Sequence, residues 1–129
     1  MKNPEKLLRR VRLELARDPD FPAGSRERGY DFIAPIDEKG QIVHSAWEQL
    51  KDRCRVRRFW GTEPDEVGHI VHSPGGEWRF HYDIRGDKRH DEAGYRFSRH
   101  SFLPGEYVSI LEQDGVMRTF FVASVREID

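Results

Sequence analysis

The sequence predicts a mainly β protein of the α+β class, built as a strongly bent antiparallel sheet or small β-barrel with an N-terminal helix and one short internal helix. Three observations predict this class. Apolar residues alternate over positions 30–36, and turn sequences at positions 74–76 and 114–115 each separate two β-like runs. An Asp-Gly turn such as Asp114-Gly115 between two such runs is the strongest short-range signal of a hairpin. We expect about six to eight strands.

Length and composition predict a single domain over residues 1–129. We expect its N-terminal helix at about residues 4–18 and its β-rich body at about residues 28–129. Eight Phe, four Tyr and three Trp supply a core in a chain of which 35% is charged. The formal net charge of −1 gives the whole chain no attraction for nucleic acid or for an anionic membrane.

Helix signals stand at the N-terminus. Asn3 is a capping residue, Pro4 suits the first helical position, and Glu5 complements the helix dipole. The apolar residues that follow have helical spacing, and they are Leu7, Leu8, Val11 and Leu15. Asp18-Pro19 ends the predicted helix, because proline disfavours helical geometry in the residue before it.

The short internal helix is predicted to begin at about Ser45. Ser45 and Glu48 have the spacing of a capping box, in which two side chains satisfy the free backbone groups at a helix start. Trp47, Leu50 and Cys54 share one side of such a helix. This side is therefore expected to face the sheet.

The hairpin around Pro74-Gly75-Gly76 leads to a candidate ligand pocket. If Ser73 pairs with Gly76, His69 faces Phe80 on the second strand. This register places one histidine and three aromatic rings on a single face. The predicted pocket residues are His69, Trp78, Phe80 and Tyr82. The alternative is a core histidine with a satisfied ring nitrogen.

Residues 53–60 predict a strand whose arginines follow every second position. Basic residues beside aromatic rings suit single-stranded nucleic acid, since cations contact phosphates and flat rings stack on bases. The candidate residues are Arg53, Arg55, Arg57 and Trp60. The run of basic residues in this predicted strand ends at Arg58. The alternative is a solvated strand face, on which arginine stems cover the sheet and the aromatic rings enter the core.

Catalytic and metal chemistry have weaker support. His69 and His72 lie three residues apart on a strand, so they point to opposite faces and cannot share a metal ion. Cys54 is the only cysteine, which excludes an intrachain disulfide and fits a protein in a reducing compartment. We expect its side chain to be a small apolar group in the core. Residues 85–92 carry no apolar side chain and predict a solvated loop. We predict no catalytic residue, no metal and no cofactor.

The C-terminal hairpin carries large apolar groups on both faces of its second strand. Phe120 and Val122 lie on one face, whereas Phe121 and Val125 lie on the other. We therefore expect this strand to be central, covered by the barrel interior on one side and by a helix or second subunit on the other. The spacing Phe-x-x-Gly-Glu-x-Val-x-Ile at residues 102–110 resembles the strand entry of small SH3-like barrels, and this resemblance carries no functional residues.

These patterns favour a non-enzymatic binding or accessory module whose partner is an unknown protein or small ligand. Two alternatives remain: a small barrel that binds single-stranded nucleic acid, and a pocket protein or enzyme built around His69. No apolar stretch suits a membrane span or a signal peptide, so we expect a cytoplasmic protein without a membrane partner. A homo-oligomer is compatible with the sequence.

Overall fold

The computed structural model describes residues 3–83 and 101–128, together with the backbone of residues 92–94. It confirms the predicted class, a strongly curled antiparallel β sheet with little helix. The eight strands of the described residues are β1 (Leu8–Leu15), β2 (Ser25–Pro35), β3 (Arg55–Trp60), β4 (Glu63–His72), β5 (Trp78–Tyr82), β6 (Glu92–Gly94), β7 (Tyr107–Leu111) and β8 (Met117–Glu127). One α-helix, α1 (His44–Gln49), and 3-10 helices at Pro4–Leu7 and Lys51–Arg53 complete the elements of this part of the chain. The loop predicted at residues 85–92 lies outside the described residues, apart from the backbone of residue 92.

The strands pair in chain order, each antiparallel to the next, and β1 also pairs with β8. The ring of pairings therefore closes around a single core. Large side chains that are fully enclosed in this core include Tyr30, Phe32, Phe80, Phe102 and Phe120. Among the described residues, no helix is long and apolar enough to cross a membrane.

The predicted N-terminal helix is wrong beyond its first turn. Asn3 does cap a helix by accepting the backbone N–H of Glu5 at 3.0 Å, but this 3-10 helix ends at Leu7. Strand β1 begins at Leu8, so the β-rich body starts well before residue 28. The buried residues of β1 are at most 2% exposed, and they are Leu8, Val11, Leu13 and Leu15. This segment is a strand and not a helix because β2 and β8 pair with its two edges and satisfy its backbone hydrogen-bonding groups.

The short internal helix is confirmed as α1 and the 3-10 turn that follows it. The predicted capping box does not form, since the residue before the helix is Val43 and it makes no side-chain cap. Packing holds the helix instead. Ala46 and Trp47 are buried, and the indole Nε1 of Trp47 donates to the backbone oxygen of Ile70 at 3.1 Å. The helix thus covers the end of the barrel at which β4 ends.

The predicted register of the β4–β5 hairpin is wrong by one residue. Ser73 pairs with Glu77 through its backbone N–H, which leaves a three-residue loop that ends at Gly76 with a φ of 88°. His69 therefore lies opposite His81 and not opposite Phe80. A slip of one residue exchanges the two faces of a strand, so His69 points away from the core.

The C-terminal hairpin is confirmed as β7 and β8. Phe120 is fully buried, whereas Phe121 on the outer face is only half-buried. Tyr107, Leu111 and Met117 belong to the same outer face and are 61%, 38% and 45% exposed. Within the described chain no helix covers this face, and a second subunit there stays a prediction.

Candidate functional site

Four polar side chains point into the barrel at the end opposite α1. Each continues an inward row of a strand at a spacing of two residues: Tyr30 with Phe32, Arg58 with Val56, Glu112 with Ile110, and Arg118 with Phe120. We call Tyr30, Arg58, Glu112 and Arg118 the ionic hub. Three of its members carry formal charges inside the fold, where an ionised group must be paired to be tolerated.

Glu112 is the centre of the ionic hub. Its side chain is 1% exposed and accepts a short hydrogen bond from the Tyr30 hydroxyl. Arg58 donates from Nη2 to Oε1 at 3.2 Å and from Nε to Oε2 at 3.4 Å. Arg118 approaches from the other side, with Nε at 3.9 Å from Oε1. The carboxylate thus meets two guanidinium groups and a hydroxyl.

A second buried carboxylate holds Arg118. Asp18 accepts from Arg118 Nη1 at 2.7 Å, and Asp20 accepts from Nη2 at 3.1 Å. Although burial lowers the pKa of Arg118, the hydrogen bonds and charges of Asp20 and Asp18 raise this pKa above its ordinary value overall. Asp18 is itself fixed by an isolated β-bridge to Phe21. The loop after β1 is therefore tied to the hub.

Trp60 closes the hub from the side of β3. The guanidinium carbon of Arg58 lies 4.3 Å from the ring centroid of Trp60, and that of Arg118 lies at 5.7 Å. Phe21 and Phe120 meet the indole edge-on at centroid distances of 6.1 and 6.4 Å. The indole is consequently packed between arginines and aromatic rings.

Two recesses open beside Arg58 at this end of the barrel. The larger has a volume of about 450 Å³ and is lined by Arg58, Glu63, Pro64, Asp65, Glu66, Val67, Tyr82 and Gln113. The smaller, of about 210 Å³, is lined by Arg58, Trp60, Glu63, Glu112, Gln113, Asp114 and Arg118. Arg58, Glu63 and Gln113 contribute to both. We call the larger one the mouth recess.

The mouth recess combines apolar and acidic walls. Pro64, Val67 and the ring of Tyr82 provide apolar surface, and Val67 is 39% exposed there. The acidic side comprises three carboxylates, those of Glu63, Asp65 and Glu66. The amide Nε2 of Gln113 donates to Glu66 at 3.1 Å and so joins β4 to the turn between β7 and β8.

The predicted pocket residues are not brought together. His69 lies on the outer surface, where Nδ1 is 2.9 Å from Asp83 and Nε2 is 3.0 Å from Arg55. The three aromatic residues face the interior, and Trp78, Phe80 and Tyr82 are 2%, 0% and 3% exposed. Of the four, Tyr82 alone lines the mouth recess among the described residues. Ligand binding by these residues stays a prediction.

The arginines of the predicted nucleic-acid surface are engaged in ion pairs. Arg55 pairs with Asp83 at 3.0 Å, and Arg57 pairs with Asp31 and Asp65. The hydrogen bond to Asp31 is the main reason that the pKa of Arg57 is raised above its ordinary value. Arg53 lies in the 3-10 turn before β3 and pairs with Glu5 at 3.6 Å. Nucleic-acid binding itself is untested, but these pairs would compete with phosphates.

Cys54 is enclosed in the core with no exposed surface. Burial raises the pKa of its thiol from 9.0 to about 11, although the charge of Arg53 opposes the shift. A thiol with this pKa carries little thiolate near neutral pH. The side chain therefore acts as a core residue.

The ionic hub was not predicted from the sequence, although the positions of its charged residues along the strands indicated it. Glu112 and Arg118 stand in phase with the apolar residues of β7 and β8, and Arg58 breaks the alternation of Arg53, Arg55 and Arg57. A charged residue in phase with a buried row marks an internal ion pair.

Comparison of this chain with protein-family models, with curated proteins and with solved structures finds no match. The proposal of a function therefore rests on the physical properties of the mouth recess and the ionic hub.

Proposed function

We propose that this protein is a non-enzymatic binding module whose mouth recess takes a small ligand with a positively charged group and an apolar body. The observation that supports this proposal is the composition of the recess wall, where Glu63, Asp65 and Glu66 face apolar surface from Val67 and Tyr82. An amine or guanidine would pair with the carboxylates, and the body of the ligand would cover the apolar side.

The size of the recess supports a small molecule. Its volume of about 450 Å³ lies within the range of about 300–1,000 Å³ that is typical of small-molecule sites. The recess also has a rigid floor, because Arg58 is held against the buried carboxylate of Glu112. A preformed floor lowers the ordering cost of binding.

The charge balance favours a cation. Arg58 is the one guanidinium among the described lining residues, and it already neutralises Glu112. Its Nη1 lies 4.0 Å from Glu63 and 3.9 Å from Glu66, which are longer distances than hydrogen bonds. The side chain of Glu63 is 65% exposed, so a ligand can reach it, whereas Asp65 is 43% exposed and already accepts from Arg57 Nη1 at 3.1 Å.

Binding has more support than catalysis, because the buried acid is 1% exposed and both of its oxygens are held by the protein. A general base must reach the proton of a substrate with a free lone pair. Both oxygens of Glu112 accept hydrogen bonds from the protein, from Arg58 and from Tyr30. These contacts fix Glu112 as a structural anion. A cytoplasmic location also belongs to this proposal, supported by a lone cysteine that is enclosed in the core.

Isothermal titration calorimetry with matched probes tests this proposal. Phenethylamine and agmatine are expected to bind, whereas phenylpropionate, an aromatic anion, is not. We expect the double change Glu63→Gln/Glu66→Gln to weaken phenethylamine binding about tenfold, which corresponds to about 1.4 kcal/mol. Glu106→Gln, an exposed carboxylate at the opposite end of β7, is the control and should bind normally. If neither amine binds the unmodified protein, or if the anion binds equally well, the proposal is refuted.

A further inference from the structure

The end of the barrel opposite the mouth recess depends on packing for its closure. Helix α1 has only six residues and lacks a side-chain cap, so isolated it would be unstable. Its attachment comes from Trp47, which is 6% exposed and bonded to Ile70, and from a cluster of rings at its first turn.

Two histidines and two tryptophans form this ring cluster. His44 begins α1, and its ring centroid lies 4.4 Å from that of His72 at the end of β4. The ring of His72 lies 4.5 Å from Trp78, and that of His44 lies 5.5 Å from Trp47. Trp47 and Trp78 meet edge-on at 5.2 Å. The histidine pair thus connects the helix to the sheet.

We propose that His44 and His72 form an acid-sensitive clasp, which holds α1 over the end of the barrel while both rings are neutral and releases it when both are protonated. This inference is independent of the proposed ligand site, which lies at the other end of the barrel. Neutral imidazole rings pack well against one another and against indole, whereas two imidazolium ions in contact repel each other.

The charged groups around the clasp do not balance two protonated histidines. Among the described residues of α1, Glu48 lies 3.2 Å from Nδ1 of His44 and supplies one negative charge. Lys51, in the following 3-10 turn, adds a positive charge 4.9 Å from the ring of Trp47. At the β4–β5 hairpin, Glu77 is paired with Arg79 at 3.3 Å. Among the residues that the structure describes, Glu48 is therefore the one carboxylate that acts on both rings.

The pKa of His72 is shifted in the direction that this geometry predicts. Burial, followed by the charge of His44, lowers the pKa of His72 below its ordinary value of 6.5, and Glu48 opposes the shift only in part. The clasped state therefore prefers the neutral ring. Its stability is fully present above pH 6.5 and is lost as the pH falls through this value toward the lowered pKa.

Fluorine NMR of the protein labelled with 5-fluorotryptophan tests the clasp, because the three indoles lie at different places. Trp47 and Trp78 adjoin the histidines, whereas Trp60 packs against the ionic hub. Between pH 7.5 and 4.5 we expect the first two resonances to move toward the position of exposed indole, with a midpoint below 6.5. The Trp60 resonance should stay in place over that range.

Variants separate the clasp from general acid unfolding. His72→Gln and His44→Gln should each abolish the transition of the Trp47 resonance, because the repulsion requires both imidazolium ions. His69→Gln is the matched control, since this histidine lies on the outer face of the same strand beside Asp83. The proposal is overturned if all three resonances move together, if none moves, or if His72→Gln titrates like the unmodified protein.

Discussion

The hydroxyl of Tyr30 donates a hydrogen bond to the carboxylate of Glu112 across 82 positions of sequence. This bond joins the middle of β2 to the turn between β7 and β8, inside the closed ring of strands. It anchors the buried anion that in turn holds Arg58 at the floor of the mouth recess. The stability of the fold and the shape of the candidate site therefore depend on the same carboxylate.

Glu112→Gln is expected to destabilise the protein by about 3–5 kcal/mol, because it leaves Arg58 without its buried anion, whereas Arg118 keeps Asp18 and Asp20. Urea unfolding followed by circular dichroism measures this change. Tyr30→Phe is the control for the hydroxyl alone, and we expect it to cost about 1–2 kcal/mol. An unchanged unfolding midpoint in Glu112→Gln would show that the hub contributes no stability.

Gly29→Ala is expected to prevent the pairing of β1 and β2 at this position. A Cβ atom on Gly29 would lie 1.9 Å from the backbone oxygen of Leu13 and 3.1 Å from the ring of Phe59. We expect a loss of more than about 3 kcal/mol in the free energy of unfolding, typical of severe overpacking. Gly75→Ala is the matched control, because its nearest neighbour is Ser73 Oγ at 3.9 Å. Equal melting temperatures for the two variants would contradict this account.

Adjacent phenylalanines of β8 should differ in their contribution to stability. Phe120 is fully buried and contacts Tyr30 and Trp60, so Phe120→Ala should cost about 3–5 kcal/mol. Phe121 is half-buried on the outer face, and we expect Phe121→Ala to cost about 1–2 kcal/mol. Chemical denaturation of both variants checks the order. A larger loss for Phe121→Ala would indicate that a partner covers the outer face.

The thiol of Cys54 should make stability depend on alkaline pH. Its pKa rises from 9.0 to about 11 on folding, so the folded state prefers the protonated thiol. This contribution is fully present below pH 9.0 and is lost as the pH rises toward about 11. Urea midpoints at pH 8 and pH 10.5, compared between the protein and Cys54→Ala, isolate this dependence. We also expect no reaction of the native thiol with Ellman's reagent at pH 8, and rapid labelling there would contradict the burial of Cys54.

Elements were predicted correctly where a local pattern of residues fits one structure. The Asp-Gly sequence predicts the β7–β8 hairpin, and Gly115 adopts the positive φ of 83° that the turn requires. The alternation that begins at Tyr30 and Phe32 fits only a strand, and these residues do line the core. A short apolar helix face at Trp47 likewise predicts α1.

Errors arose where two structures share one pattern. The spacing of Leu8, Val11 and Leu15 suits a helix as well as a strand with an irregular start, and pairing with β2 and β8 selects the strand. At Gly76, a three-residue loop replaces the expected two-residue loop, which moved His69 to the outer face. The ionic hub requires contacts across the whole chain, so local patterns could indicate its buried charges but not their partners.

Amide chemical-shift mapping with phenethylamine tests the proposed ligand site most directly. We expect shifts at Val67 and Tyr82 and at the side-chain amide of Gln113, whose bond to Glu66 borders the mouth recess. We expect unchanged signals at Trp47, at the opposite end of the barrel. Saturable shifts confined to the mouth recess would support the assignment. Shifts that cluster elsewhere, or none at millimolar amine, would contradict it.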